Sequence, residues 1–81
     1  MPRIIDRPVT VAADLARGCP RSFCWRCREY RIARVQDVWK ETGRWWAGEN
    51  EKVFYRVETE TGGVYELYTD QERWYLYKIY D

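Results

Sequence analysis

The clearest pattern in the chain is the alternation of apolar and polar side chains between positions 52 and 61. A two-residue period of this kind is typical of a strand with one buried face. The apolar positions are Val53, Tyr55 and Val57, and the polar ones are Arg56, Glu58 and Glu60. Gly62-Gly63 follows and supplies the positive φ angles that a tight hairpin needs. The pattern predicts a strand over 52–61 that turns back into a second strand over 64–69.

A third strand is predicted over 74–80, after a polar break at 70–73. It is apolar on both faces except at Lys78, as expected of a strand that is covered on both sides. Three consecutive strands joined by short turns form an antiparallel meander.

The first half of the chain is less regular. Pro8 fits the start or edge of a strand, and Gly and Pro predict a loop further on. Val35, Val38 and Trp39 break the two-residue alternation, so we expect a bulge or bend near 34–37. A short helix over the same stretch is the alternative. The predicted strands are 8–13, 23–26 and 29–39, with a loop at 17–21 and a turn at 26–28.

These elements predict an all-β fold for a single domain over 1–81, with 1–22 as a less regular N-terminal strand and loop and 23–81 as the meander. About six or seven short strands point to a strongly curved sheet or an SH3-like barrel. Five Trp, seven Tyr and two Phe supply large side chains for a core. We assign Trp25 and Trp39 to that core.

Composition disfavours several classes of protein. No stretch approaches about 20 continuous apolar residues, so we expect no membrane span. Charged residues lie where a signal peptide would need an apolar run. Three cysteines are an odd number, which fits a reducing compartment. We therefore expect a cytoplasmic protein.

The side chains that most enzymes use are missing. The sequence contains no His, which is the usual general base near neutral pH. Ser22 is the only serine, and without an imidazole no Ser or Cys triad can be assembled. We expect a protein that binds and does not catalyse, and that carries no cofactor.

The three cysteines are Cys19, Cys24 and Cys27. The last two form a C-x2-C pair, which is half of a zinc site, but the chain offers no fourth Cys and no His. We therefore expect no metal, with Cys24 as a small buried hydrophobic residue and Cys27 in a hairpin turn. A zinc site completed by a carboxylate, a water or a second chain is the alternative.

Positive charge is concentrated in the first half. Residues 1–44 hold ten Arg or Lys against five Asp or Glu, whereas residues 45–81 hold four against eight. A basic face with aromatic rings suits nucleic acid, because arginines contact phosphates and rings stack on bases. An ordinary surface whose opposite charges pair across strands is the alternative. The candidate contact residues for nucleic acid or a partner are Arg26, Arg28, Arg31, Arg34, Arg44, Trp45 and Trp46.

From Phe23 onward, several motifs follow one another in a distinctive order. They are Trp25-Arg26-Cys27-Arg28-Glu29-Tyr30-Arg31, Val35-Gln36-Asp37-Val38-Trp39, Gly43-Arg44-Trp45-Trp46, Tyr55-Arg56-Val57-Glu58, Tyr65-Glu66-Leu67-Tyr68 and Trp74-Tyr75-Leu76-Tyr77-Lys78-Ile79-Tyr80-Asp81. This order resembles a bacterial family of small uncharacterised proteins. A similar stretch occurs at the C-terminus of the inactive Y-family polymerase-like subunit of bacterial mutasomes. Where that family tends to have Gly, this chain has Cys27, which fits a hairpin turn.

Free-standing members of that family are encoded near translesion DNA polymerases, so the resemblance implies a role in translesion synthesis and DNA repair. It implies DNA or a DNA polymerase-associated protein as the partner, and it identifies no catalytic residues. We predict a non-catalytic accessory binding module. The alternative is a protein–protein interaction or self-associating β module that binds no nucleic acid.

Overall fold

The structure, a computed structural model, describes residues 2–14, 19–41, 51–70 and 73–80. Within these ranges every regular element is a strand, and the strands pair antiparallel in sequence order and close into a barrel. The strands are β1 (Pro2–Asp14), β2 (Cys19–Trp25), β3 (Arg28–Glu41), β4 (Lys52–Thr59), β5 (Val64–Thr69) and β6 (Trp74–Tyr80). The predicted all-β class and small closed barrel are confirmed. In the same ranges, no helical segment reaches the length and apolarity that crossing a membrane requires.

Residues 35–39 belong to β3, so the short helix considered for them is wrong. The pairing of β3 with β4 shifts register between Ile32 and Arg34 and again between Val35 and Asp37. These shifts confirm the bulge predicted near 34–37. An extra residue on one strand bends that strand, and β3 accordingly pairs with β2 at its start and with β4 along the remainder.

The N-terminal part is more regular than predicted. β1 begins at Pro2 instead of Pro8, and β2 begins at Cys19, inside the predicted loop 17–21, of which residues 17 and 18 lie outside the described ranges. β1 is long because it pairs with two strands, first with β6 and then with β2. Pairing between residues this far apart in sequence leaves little trace in local composition.

The core fills the interior of the barrel. Val57, Leu67 and Leu76 are fully buried and Phe23 is 1% exposed, and each comes from a different strand. Partly buried residues that pack around them include Val9, Val11, Trp25, Ile32, Tyr55 and Trp74. Val57 and the partly buried Tyr55 lie on the predicted core face of β4, but the other face is not fully exposed, because Phe54 on that face is also buried.

The turn between β2 and β3 places two residues other than glycine in the left-handed backbone region. Arg26 has a φ of 52° and Cys27 a φ of 62°, and positive φ at both central positions is typical of a two-residue hairpin turn. Left-handed backbone costs a residue with a Cβ roughly 1–2 kcal/mol. Cys27 therefore occupies the predicted turn at a cost in stability.

Cys27→Gly is expected to raise the free energy of unfolding by about 0.5–1 kcal/mol, because glycine adopts a positive φ without steric strain. The matched control is Cys24→Gly, the same substitution at an exposed position inside β2, where glycine weakens the strand. Urea denaturation under reducing conditions measures both. A loss of stability in Cys27→Gly would show that this turn is not strained.

Candidate functional site

A groove opens where β3 changes its partner. Only residues 28–31 of β3 pair with β2, whereas residues from Ile32 onward pair with β4. In the described part of the chain, the first residues of β2 pair with β1 and not with β3. The two strands therefore diverge and leave an open groove of about 1010 Å³. We name it the arginine groove after three of the residues that line it, Arg21, Arg31 and Arg34.

A bulge places Arg21 in this groove. Ala12 pairs with Ser22 and Ala13 pairs with Pro20, so Arg21 is the extra residue on β2. Bulges of this kind re-aim a side chain. The exposed Arg21 side chain thereby lies opposite β3 across the groove.

Arg31 and Arg34 enter the groove from β3. Arg34 Nε donates a hydrogen bond to Glu58 Oε1 at 2.5 Å, and Arg31 Nε lies 3.7 Å from Glu29 Oε1. Both arginine side chains are highly exposed, at 69% and 72%. Exposed ion pairs contribute only about 0–1 kcal/mol, so both guanidinium groups remain available to an external anion. Glu29 and Glu60 also line the groove and reduce its positive charge.

A second depression, of about 490 Å³, shares Arg31, Glu29 and Glu60 with the groove. Tyr30 and Tyr65 line it, and their ring centres are 5.4 Å apart. We name it the tyrosine depression. Its remaining lining residues are Arg28, Thr59 and Thr61.

Phe23 contacts both tyrosine rings, and the absence of a side chain at Gly63 leaves space for the Tyr65 ring. Phe23 packs against Tyr30 at 5.0 Å and against Tyr65 at 5.3 Å. A Cβ at Gly63 would lie 2.8 Å from Cε1 of Tyr65, so a side chain at this position would displace the ring. Of the predicted Gly62-Gly63 pair, Gly62 has a positive φ, of 93°, and the turn spans residues 60–63 instead of the two glycines alone. Gly63 leaves space for the Tyr65 ring.

The structure brings three of the predicted contact residues together along β3. Arg28 and Arg31 line the tyrosine depression, while Arg31 and Arg34 line the arginine groove. Arg26 lies in the hairpin turn, with its guanidinium carbon 5.3 Å from the centre of the Trp25 ring. Arg44, Trp45 and Trp46 lie outside the described residues, so their part in a contact surface stays a prediction.

The predicted contact set lacks Arg21, Tyr30 and Tyr65. Arg21 falls in the predicted loop, where no alternation indicates the direction of a side chain. Tyr30 and Tyr65 have the spacing of core residues, and they do pack against the core. Their second role, as the lining of a depression, depends on how the barrel ends and leaves no signal in the sequence.

A row of aromatic side chains covers the outer face of the barrel over β3–β6. Cross-strand pairing aligns Trp39, Phe54, Tyr68 and Tyr75, with successive ring centres 5.5, 5.0 and 4.8 Å apart. Phe54 and Tyr68 are buried, although they point away from the core. We name these four residues the aromatic row. Trp39, which the sequence assigns to the core, stacks on Phe54 in this outer row instead, so that assignment is wrong.

A row of alternating charges runs beside the aromatic row. Its members, in cross-strand order, are Asp37, Arg56, Glu66 and Lys78. Glu66 is 3% exposed. Its Oε1 lies 3.5 Å from Arg56 Nη2, and its Oε2 lies 3.9 Å from Lys78 Nζ. The Arg56 guanidinium also lies 5.6 Å from the Trp39 ring and 5.5 Å from the Tyr80 ring. These contacts compensate a buried carboxylate, which indicates a structural role.

Tyr68 anchors the aromatic row to β1. Its hydroxyl donates a hydrogen bond to Asp6 Oδ1 at 2.6 Å, and Asp6 has a φ of 49° at an irregularity of β1. Burial and, secondly, the hydrogen bond to Asp6 raise the pKa of Tyr68, since both disfavour the phenolate. Tyr68 is therefore a hydrogen-bond donor at neutral pH and not a base.

None of the three cysteines forms a disulfide. Cys24 is exposed, so its assignment as a buried hydrophobic residue is wrong; it lies next to Phe23 on β2 and points to the other side of the strand. Cys27 lies in the hairpin turn, as predicted, and is also exposed, whereas Cys19 is half-buried. Among the described residues, no group of three or more His, Cys, Asp or Glu side chains is placed to share a metal ion.

The chain is similar to Protein ImuB from two strains of Caulobacter vibrioides, NA1000 / CB15N and ATCC 19089 / CIP 103742 / CB 15. In each case the identity is 29% over 97 aligned positions, which cover 96% of this chain and 21% of the relative. The chain therefore spans only a small part of these relatives. No solved structure matches it with significance. The resemblance inferred from the motifs is confirmed, and because the family described as Domain of unknown function (DUF6504) matches residues 1–81, the chain belongs to that family.

Proposed function

We propose that this chain is a non-catalytic accessory module that contacts single-stranded DNA within a DNA damage-tolerance assembly. The similarity to Protein ImuB, together with the resemblance of its motifs to the polymerase-like mutasome subunit, supports the assembly. The arginine groove supports the contact with DNA and is the observation that carries the proposal.

The groove has the chemistry that a phosphate backbone requires. Arg21, Arg31 and Arg34 present guanidinium groups to one open channel, and a guanidinium can donate two parallel hydrogen bonds to a phosphate. Arg31 and Arg34 both lie on β3, with a register shift between them. Residues three apart on a strand are separated by about 10 Å. Spaced in this way, the arginines follow an extended backbone and do not gather around a single phosphate.

Binding of a labelled single-stranded oligonucleotide should weaken steeply with salt. Three phosphate contacts give a log–log slope of about −2.1, which is about 18-fold weaker binding at 200 mM than at 50 mM salt. Arg31→Ala removes one contact, so it should lower the affinity and bring the slope to about −1.4. Fluorescence anisotropy titrations at several salt concentrations measure both quantities.

Lys40→Ala is the matched control. It removes one positive charge from an exposed position on the same strand, about 30 Å from Arg31 along β3, so the slope should stay near −2. If Arg31→Ala and Lys40→Ala have equal effects, the DNA is attracted by the net charge of the protein and does not contact the arginine groove specifically. No binding even at low salt would overturn the proposal and leave a protein as the partner, for which the outer face carrying the aromatic row has suitable Trp, Tyr and Arg side chains.

A further inference from the structure

We propose that the tyrosine depression seats one unstacked base of the bound strand. The inference rests on the proposed function, because the arginine groove would hold the backbone from which this base projects. The two cavities share Arg31, so a strand whose phosphate contacts Arg31 has the groove on one side and the depression on the other. A base seated there would make the protein prefer a single strand to a duplex, which the arginines alone would not do.

The lining of the depression suits a flat aromatic ligand. Tyr30 and Tyr65 are both half-buried, and their rings meet at an interplanar angle of 50°, which gives the depression two differently oriented π surfaces. Bases stack on such rings whatever their sequence, because every base has a π face. Phe23 packs against both rings before any ligand arrives, so little ordering is needed on binding.

The size and the rim limit what can enter. A volume of about 490 Å³ lies within the range of about 300–1,000 Å³ that is usual for small-molecule sites, which suits one nucleotide and not a duplex. Arg28 and Arg31 supply cations at the rim, and the carboxylates of Glu29 and Glu60 also line the depression. Carboxylates repel a phosphate but accept hydrogen bonds from neutral N–H groups. This charge arrangement places the phosphate at the arginines and the neutral base inside.

The first test uses the unaltered protein and three oligonucleotides of equal length: a single strand, the same strand with abasic sites throughout, and a duplex. The abasic strand keeps its phosphates and loses the stacking surface. It should bind about tenfold more weakly than the normal strand with the same salt slope, since the slope counts phosphates. The duplex should also bind more weakly than the single strand.

The second test uses Tyr65→Leu, which removes the ring while keeping an apolar group against Phe23. It should weaken single-strand binding about tenfold and leave the salt slope unchanged, whereas Arg31→Ala changes the slope. Circular dichroism and thermal unfolding check the fold of the variant. Gly63→Ala, which displaces the Tyr65 ring without removing it, should weaken binding in the same direction.

The outcomes separate the inference from the proposed function. If the abasic strand and the duplex bind as tightly as the normal single strand, and Arg31→Ala still flattens the slope, the base-binding inference is wrong and the DNA contact stands. If no oligonucleotide binds at low salt, both the base-binding inference and the proposed DNA contact are wrong. The abasic comparison decides the matter even if Tyr65→Leu does not fold.

Discussion

Leu76→Ala is expected to lower the free energy of unfolding by about 3 kcal/mol. Leu76 on β6 is fully buried, as are Leu67 on β5 and Val57 on β4. Removing most of its side chain takes apolar surface out of the core and leaves a cavity. The strands around that cavity cannot easily move inward to fill it, because each strand is paired with a neighbour on both sides in the closed barrel. Protein interiors are also tightly packed. Since small domains have a total stability of about 5–15 kcal/mol, the loss would be a large share of the whole.

Urea denaturation followed by tryptophan fluorescence measures this change. Ile4→Ala is the matched control, because Ile4 is a branched residue of similar size that is 66% exposed. Its loss should be within about 0.5 kcal/mol. Similar losses for both substitutions would mean that the interior of the barrel is not the main source of stability.

The C-terminal meander could be predicted closely, because its information is local. β5 and β6 begin and end at the predicted residues, and β4 ends two residues earlier, at Thr59. Alternation, a Gly-Gly turn and a polar break each act within a few residues of one another. β1 and β2 were placed less well. β1 pairs with both β2 and β6, which bring it partners up to 78 residues away in sequence.

Trp39 shows why the outer face could not be predicted. A shift of one residue moves every following side chain to the other face of a sheet. The sequence indicated an irregularity near 34–37, but β3 contains two register shifts between Ile32 and Asp37, and their number decides whether Trp39 faces the core. Residue propensities do not reveal how many bulges a strand contains, so the aromatic row could be identified only from the cross-strand register.

The candidate site was predictable in part for a similar reason. Clustering of positive charge along β3 follows from composition, and Arg28, Arg31 and Arg34 do lie along two adjoining cavities. The groove itself arises from the divergence of β2 and β3, and Arg21 enters it through a bulge. Both features belong to tertiary structure.

Arg56→Met is expected to lower the free energy of unfolding by about 2 kcal/mol. Glu66 is 3% exposed, so the substitution removes the nearest cation from a carboxylate that water cannot reach. Lys78 Nζ, 3.9 Å from Oε2, offsets part of the loss. In the described structure Glu66 Oε2 already lacks a hydrogen bond, so few contacts would remain to compensate the carboxylate once Arg56 is replaced.

Glu66→Leu should cost less, below about 1 kcal/mol, because the Arg56 side chain is 38% exposed and water can take over from the carboxylate. The double variant with Arg56→Met and Glu66→Leu replaces both charges with apolar groups beside the aromatic row. Its stability should return close to that of Glu66→Leu alone, which corresponds to a coupling energy of about 2 kcal/mol, the full cost of Arg56→Met. Denaturation of the three variants and the parent protein completes the cycle.

Arg34→Met provides the comparison that isolates burial as the cause. Arg34 on β3 and Glu58 on β4 are directly paired across strands, as are Arg56 on β4 and Glu66 on β5, but the side chains of Arg34 and Glu58 are 69% and 26% exposed. Removing this arginine should change stability by less than about 1 kcal/mol. If it costs as much as Arg56→Met, burial of Glu66 does not set the energy of the row. If it costs little while Arg56→Met costs about 2 kcal/mol, the loss in Arg56→Met arises because the Glu66 carboxylate is buried and is left without its nearest cation.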